Sequence, residues 1–111
     1  MARTFSQGDR GPIRSSFSDD PDMLELVQEF VENLPGRVAQ LKTAYDSNDR
    51  VSLTRLSHQL KGASGGYGFD GVGAAAGRVE ASLLALPADS DVASLKRELN
   101  ELVAMCQRVC V

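Results

Sequence analysis

The chain has one histidine, His58, and the residue types around it suit phosphoryl chemistry. On a helical wheel at about 100° per residue, with Leu53 at zero, His58 falls at about 140°. Leu56, Leu60 and Ala63 fall within roughly 80° on the other side and form the expected buried stripe. His58 is therefore expected to face solvent. Gly62 lies at about 180° and Gly65 at about 120°, so both share its outer face, and Lys61 lies at about 80° on the same flank. Each glycine inside a helix costs up to about 1 kcal/mol relative to alanine. Two of them beside one exposed imidazole leave it unshielded, so that another protein can approach its ring nitrogen.

A neutral imidazole is a good nucleophile near neutral pH. Attack on a phosphoryl group gives a phosphoramidate, which can pass the group onward. The lysine cation offsets the negative charge that phosphorylation adds. No metal-ligand set and no general base accompany the histidine. This pattern fits a carrier that needs no cofactor of its own and whose partner supplies Mg²⁺.

Competing motifs fail on context. Gly66-Tyr67-Gly68-Phe69-Asp70-Gly71 has dinucleotide-loop spacing, but a helix precedes it where a strand is needed. No Gly-Lys-Ser/Thr follows the glycines, as a P-loop requires. One histidine and two distant cysteines fall short of a structural zinc site. Ser57 and Ser64 make no hydrolytic pair with His58: the first is its chain neighbour, and the second turns to the packed side. Gly73 and Gly77 are expected to let two helices approach.

Four amphipathic segments position these residues. The first begins near Asp19 to Asp22, where Asp20 can cap and Pro21 suits the first helical position. Its apolar residues include Met23, Val27, Phe30, Leu34, Val38, Leu41 and Tyr45, at spacings of three and four. Pro35-Gly36 predicts a kink or a short break within it. Asn48 or Asp49 can cap the second helix, which runs from about Arg50 to Gly66. The third extends to about Leu86. The last carries Val92, Leu95, Leu99, Leu102, Cys106 and Val109 at helical spacing, placing Cys106 and Cys110 one turn apart as reduced, partly buried thiols. The expected architecture is all-α, an antiparallel up-down-up-down four-helix bundle over residues 19–111. Residues 1–18 form a short flexible or loosely docked N-terminal arm, with Ile13 and Phe17 able to pin its end. No strand is expected.

The 111 residues suffice for one domain and not for two cores. A net charge of −3 and a pI of about 5.0 give no basic stripe for nucleic acid. No apolar run approaches the roughly 18 residues of a membrane span, and the first residues lack a secretory apolar core. The expected protein is a cytoplasmic monomer, since no spare apolar stripe demands a second copy.

The stretch from His58 through Gln59, Leu60, Lys61, Gly62, Ala63, Ser64 and Gly65 to Gly68 resembles the signature of histidine-containing phosphotransfer (HPt) domains. The resemblance extends more loosely from about Asp19 to Val109, through Phe30 with Pro35 and the Val79-Glu80 pair. It departs at Gly66 and Tyr67, where the family often has a polar residue and a leucine. The resemblance implies that His58 is the phospho-accepting residue and Lys61 contacts the phosphoryl group. Gly62, with Gly65 and Gln59 nearby, keeps the site open. Thr54, Arg55 and Arg78 are candidates for partner contact. The group then passes to or from an aspartate on receiver domains of response regulators or hybrid histidine kinases, without autonomous catalysis. The rival reading is an unphosphorylated helical adaptor that binds receivers through the same face.

Overall fold

The computed structural model describes residues 11–111. Residues 1–10 of the N-terminal arm lie outside the described residues. Four helices carry the fold: α1 (Pro21–Asp46), α2 (Arg50–Gly66), α3 (Asp70–Ala85) and α4 (Lys96–Cys106). Each packs against the next in sequence, and α1 closes the bundle against α4. Among the described residues, no helix is long and apolar enough to cross a membrane.

Local chemistry accounts for the helix starts. Asp20 Oδ1 accepts from the Asp22 amide at 2.9 Å, and Pro21 opens α1. Asp49 Oδ1 caps α2 through the Ser52 amide at 3.1 Å. Neighbouring Asn48 takes the left-handed conformation, φ 52°, which asparagine tolerates better than most residues. Its side chain accepts from the Val92 amide at 3.0 Å, tying the α1–α2 turn to the α3–α4 connection. Arg50 completes that end of the bundle. Its guanidinium donates to the carbonyls of Leu83, Leu86 and Pro87 at 2.6 to 2.8 Å, satisfying the open C-terminus of α3.

The opposite end is fastened by aromatic residues. Phe69 is buried and stacks on Phe30 of α1, with ring centroids 5.4 Å apart, and Tyr67 lies 5.3 Å from the same ring. Gly68 between them has φ 85°. A side chain there would be strained and would collide with Ser15, Ser16 and Phe17. Ser15 is buried and donates to the Tyr67 carbonyl at 2.6 Å, so the arm covers this loop.

Several expectations are corrected. The helix does not break at Pro35: α1 runs unbroken from Pro21 to Asp46. The proline removes one backbone donor, but buried Leu34 and Val38 on either side hold both halves against the core. Strands do exist, in a minimal form. β1 (Ile13–Arg14) pairs in parallel with β2 (Val109–Cys110). The last helix accordingly stops at Cys106, and Val109 joins a strand because the arm offers it backbone partners. Its beginning is also different, since Val92–Leu95 is a 3-10 turn capped by Asp91. Cys106 and Cys110 are both free, but Cys110 lies in β2 and not one helical turn onward. Burial pushes the Cys106 thiol up to about 11, so it is a packing group.

The last correction concerns α2. Its buried residues are Leu53, Ser57, Leu60 and Ser64, while Leu56 and Ala63 are only partly covered. The stripe is rotated by about 50° from the expected one. Two serines replace larger apolar groups there because α3 comes very close. A Cβ on Gly73 would lie 3.3 Å from the Lys61 carbonyl oxygen and 3.5 Å from the Gly65 nitrogen. Small residues are what this helix contact admits.

Both serine hydroxyls are buried without a hydrogen-bond partner. An unsatisfied buried polar group is costly, and its removal at constant shape is neutral or favourable. The double variant Ser57→Ala, Ser64→Ala is therefore expected to be more stable than the parent by about 1 kcal/mol, read as a higher midpoint of urea unfolding. A lower midpoint would show that the hydroxyls hold the α2–α3 contact together.

Candidate functional site

His58 stands mid-way along α2 with its side chain 66% exposed. Its Nδ1 lies 2.7 Å from Glu80 Oε2 on α3. The other carboxylate oxygen, Oε1, lies 2.8 Å from Lys61 Nζ. One carboxylate thus serves two residues that sit three apart on the facing helix. The Glu80 side chain is only 13% exposed, so its two bonds replace most of its contact with water.

Packing creates this arrangement. Gly77 faces the aliphatic stem of Lys61, and a Cβ there would come within 3.2 Å of Lys61 Cδ. The missing side chain lets the lysine lie flat across α3 and deliver its ammonium to Glu80, less than one turn further on. Gly73, Gly77 and Glu80 follow at intervals of four and three, so they share one face of α3. Gly73 sets the helix separation, Gly77 seats the lysine, and Glu80 supplies the charge.

The electrostatics assign the proton. The Lys61 ammonium, more than the His58 ring, holds the Glu80 carboxyl below its ordinary value, against an opposing effect of burial. Glu80 is therefore ionised at neutral pH and can only accept. The proton of a neutral His58 ring must then sit on Nδ1. That leaves Nε2 with its lone pair, in the solvent-facing ring. A bound, oriented imidazole with a free nitrogen is a nucleophile poised for an electrophile arriving from solution.

Gly62 and Gly65 have open space where a Cβ would be, with nothing within 4 Å. Their lack of a side chain meets no internal demand, in contrast to Gly73. Thr54 lies one turn before His58 and donates its hydroxyl to the Arg50 carbonyl at 2.8 Å. With Arg50, Val51, Arg55, His58 and Glu80 it lines an open depression of about 430 Å³. Arg55 also reaches the other flank, where it and Gln59 border a groove against α1 residues such as Gln40 and Thr43. Arg78 is exposed but is not brought to this face, since two residues before Glu80 places it about 160° around α3.

Glu80 is the residue that sequence reasoning passed over as a site group. It stood in the Val79-Glu80 pair, but a contact across two helices needs their register. The only local signal was its spacing from Gly73 and Gly77.

The family model of the Hpt domain matches residues 25–110. Comparison with curated proteins and with solved structures returned no match.

The shared carboxylate predicts a tautomer. In the parent, neutral His58 carries its proton on Nδ1, and Glu80→Ala shifts the population toward the Nε2–H form that water favours, as read from ring nitrogen chemical shifts. No change in those shifts would remove Glu80 from the site. The pH dependence follows from the lowered carboxyl. Stabilisation by Glu80 is fully present above its unfolded value, and it is lost as pH falls through the lower folded value. The stability difference between parent and Glu80→Ala therefore disappears in acid, as measured by urea unfolding at a series of pH values.

Proposed function

The chain belongs to the Hpt domain family, and on that premise we propose that His58 accepts a phosphoryl group at Nε2 and passes it to or from a receiver-domain aspartate. The family places the chain in phosphotransfer within two-component signalling. The observation that carries the residue-level reading is the shared carboxylate. Glu80 fixes the His58 proton on Nδ1, so the exposed Nε2 is the nitrogen able to attack.

The step balances simply. The Nε2 lone pair forms an N–P bond as the P–O bond to the partner's carboxylate breaks, and that carboxylate leaves as an anion. The Nδ1 proton stays in its bond to Glu80, which steadies the positive charge that develops on the ring. Lys61 is within reach to exchange Glu80 Oε1 for a phosphoryl oxygen. Passing the group on is the reverse step with a second carboxylate as acceptor. The divalent cation belongs to the receiver, where it neutralises charge on the transferring group. Gly62 and Gly65 give the receiver a side-chain-free approach along α2.

Two donors separate reactivity from docking. Potassium phosphoramidate phosphorylates imidazoles without a protein partner, and receiver domains charged with acetyl phosphate require one. The parent is expected to take acid-labile, base-stable label from both, and His58→Gln from neither while remaining folded. Label on the glutamine variant sinks the assignment of the site. Receivers that bind but transfer no label, together with no labelling by phosphoramidate, leave the adaptor reading. Gly62→Gln adds a sharper expectation. A better helix former in open space raises stability by about 0.5 kcal/mol, yet transfer from a receiver falls at least tenfold. Labelling by phosphoramidate stays within twofold of the parent.

A further inference from the structure

Arg50 opens α2, and its charge is out of place there. The start of a helix is its positive end, where a carboxylate is favoured and a cation is not. The end of α3 has the opposite need, since no basic residue stands in its own last turn. The Arg50 guanidinium meets that need from the neighbouring helix. Its Nη2 donates to the carbonyls of Leu83 at 2.7 Å and Leu86 at 2.6 Å, and its Nη1 donates to that of Pro87 at 2.8 Å. A planar fork holds several acceptors in fixed directions at once, which the point charge of a lysine does not.

These bonds lie close to the site. Leu83 follows Glu80 by three residues, about 4.5 Å further along α3. Arg50 precedes His58 by eight, about 12 Å back along α2. The turn that carries Arg50 is itself fixed. Asp49 caps it through the Ser52 amide, and Asn48 holds the Val92 amide in the segment that follows α3. The helix pair is thus fastened at the loop 67–69 and again at Arg50, with His58 and Glu80 in between. A shift of about 1 Å between the helices would carry the 2.7 Å contact of Glu80 with His58 out of hydrogen-bond range.

We propose that Arg50 is a positioning residue for phosphoryl transfer: by holding the last carbonyls of α3 it keeps Glu80 on Nδ1 of His58, and so keeps Nε2 free. This rests on the carrier reading and adds to it the residue that sets the register. Arg50 acts through Glu80 and not on the phosphoryl group. Without its fork the end of α3 moves, and Nδ1 gives up its carboxylate. The ring proton then redistributes toward Nε2, and the attacking lone pair is lost from a share of the molecules.

Position and stability are read separately. Arg50→Ala is compared with Asp20→Ala, which removes the side-chain cap of α1 and leaves α2 and α3 their own contacts. Both variants are expected to lower the midpoint of urea unfolding. In Arg50→Ala the nitrogen chemical shifts of the neutral His58 ring are expected to move toward those of Glu80→Ala, and labelling of Nε2 by phosphoramidate to slow at least twofold. In Asp20→Ala both readouts stay with the parent. Parent-like ring shifts or parent-like labelling in a folded Arg50→Ala overturn the proposal. Equal changes in Asp20→Ala overturn it too, because any loss of stability would then suffice. Should Arg50→Ala fail to fold, Arg50→Lys decides, since its ammonium keeps the charge but not the three directed bonds. Displaced ring shifts in that variant support the proposal, and parent-like shifts overturn it. Failure of phosphoramidate to label the parent, with ring shifts still dependent on Arg50, removes the carrier reading and leaves the hold of Arg50 on the tautomer standing.

Discussion

The Glu80 carboxylate, placed between His58 and Lys61, is the contact on which the arrangement of α2 and α3 converges. Its two oxygens lie 2.7 and 2.8 Å from side chains three residues apart on another helix. Such a contact demands both a short separation and a fixed register between the helices. Gly73 meets the first demand by leaving the α2 backbone room to approach. Phe69 at one end and Arg50 at the other meet the second, by anchoring the loop that joins the helices and the C-terminus of α3. Buried Ser64 belongs to the same account, because its Cβ lies 3.6 Å from where a Cβ on Gly73 would stand, and a leucine there would force α3 outward and withdraw Glu80.

Ion pairs near solvent add little to stability. The worth of this one lies in the proton it fixes, which decides the nitrogen left free. The glycines support the same division between stability and access. Gly73 and Gly77 have neighbours that a Cβ would crowd, so the fold itself explains them. Gly62 and Gly65 have none, and in a helix they are a net cost. A feature that costs stability and serves nothing inside the molecule is best explained by something that comes from outside.

Helical periodicity was enough to put His58, Lys61, Gly62 and Gly65 on an outer face, and it delimited α2 and α3 closely. It misjudged what α2 buries, because hydropathy ranks serine as polar and takes no account of how closely a neighbouring helix approaches. Ser57 and Ser64 are buried for their size. Glu80 was legible as a residue but not as a partner of His58, since that contact depends on the turn at Tyr67, Gly68 and Phe69. The chain end misled for a related reason. Val109 satisfies the helical spacing set by Leu102 and Cys106, yet it pairs with Ile13, nearly the whole chain away. At Pro35 the break that the local rule allowed did not occur, because buried residues on both sides hold the long helix to the core.

The charge around the site bears on why a carrier should be built this way. In the unphosphorylated site, the charges of Lys61 and Glu80 cancel. In the proposed loaded state, the phosphoryl group brings about −1.5 to −2 charges, and one lysine cannot balance both it and Glu80. The site then carries a net negative charge that only a partner can relieve. On the proposed function, a receiver that brings a divalent cation would do so, and it would meet the group on an exposed nitrogen with no side chain at Gly62 in its way. A tighter site with more cations would hold the phosphoryl group more firmly and release it less readily. The sparse site of one nucleophile, one cation and one shared carboxylate suits the proposed role, in which the group is taken up and then given away.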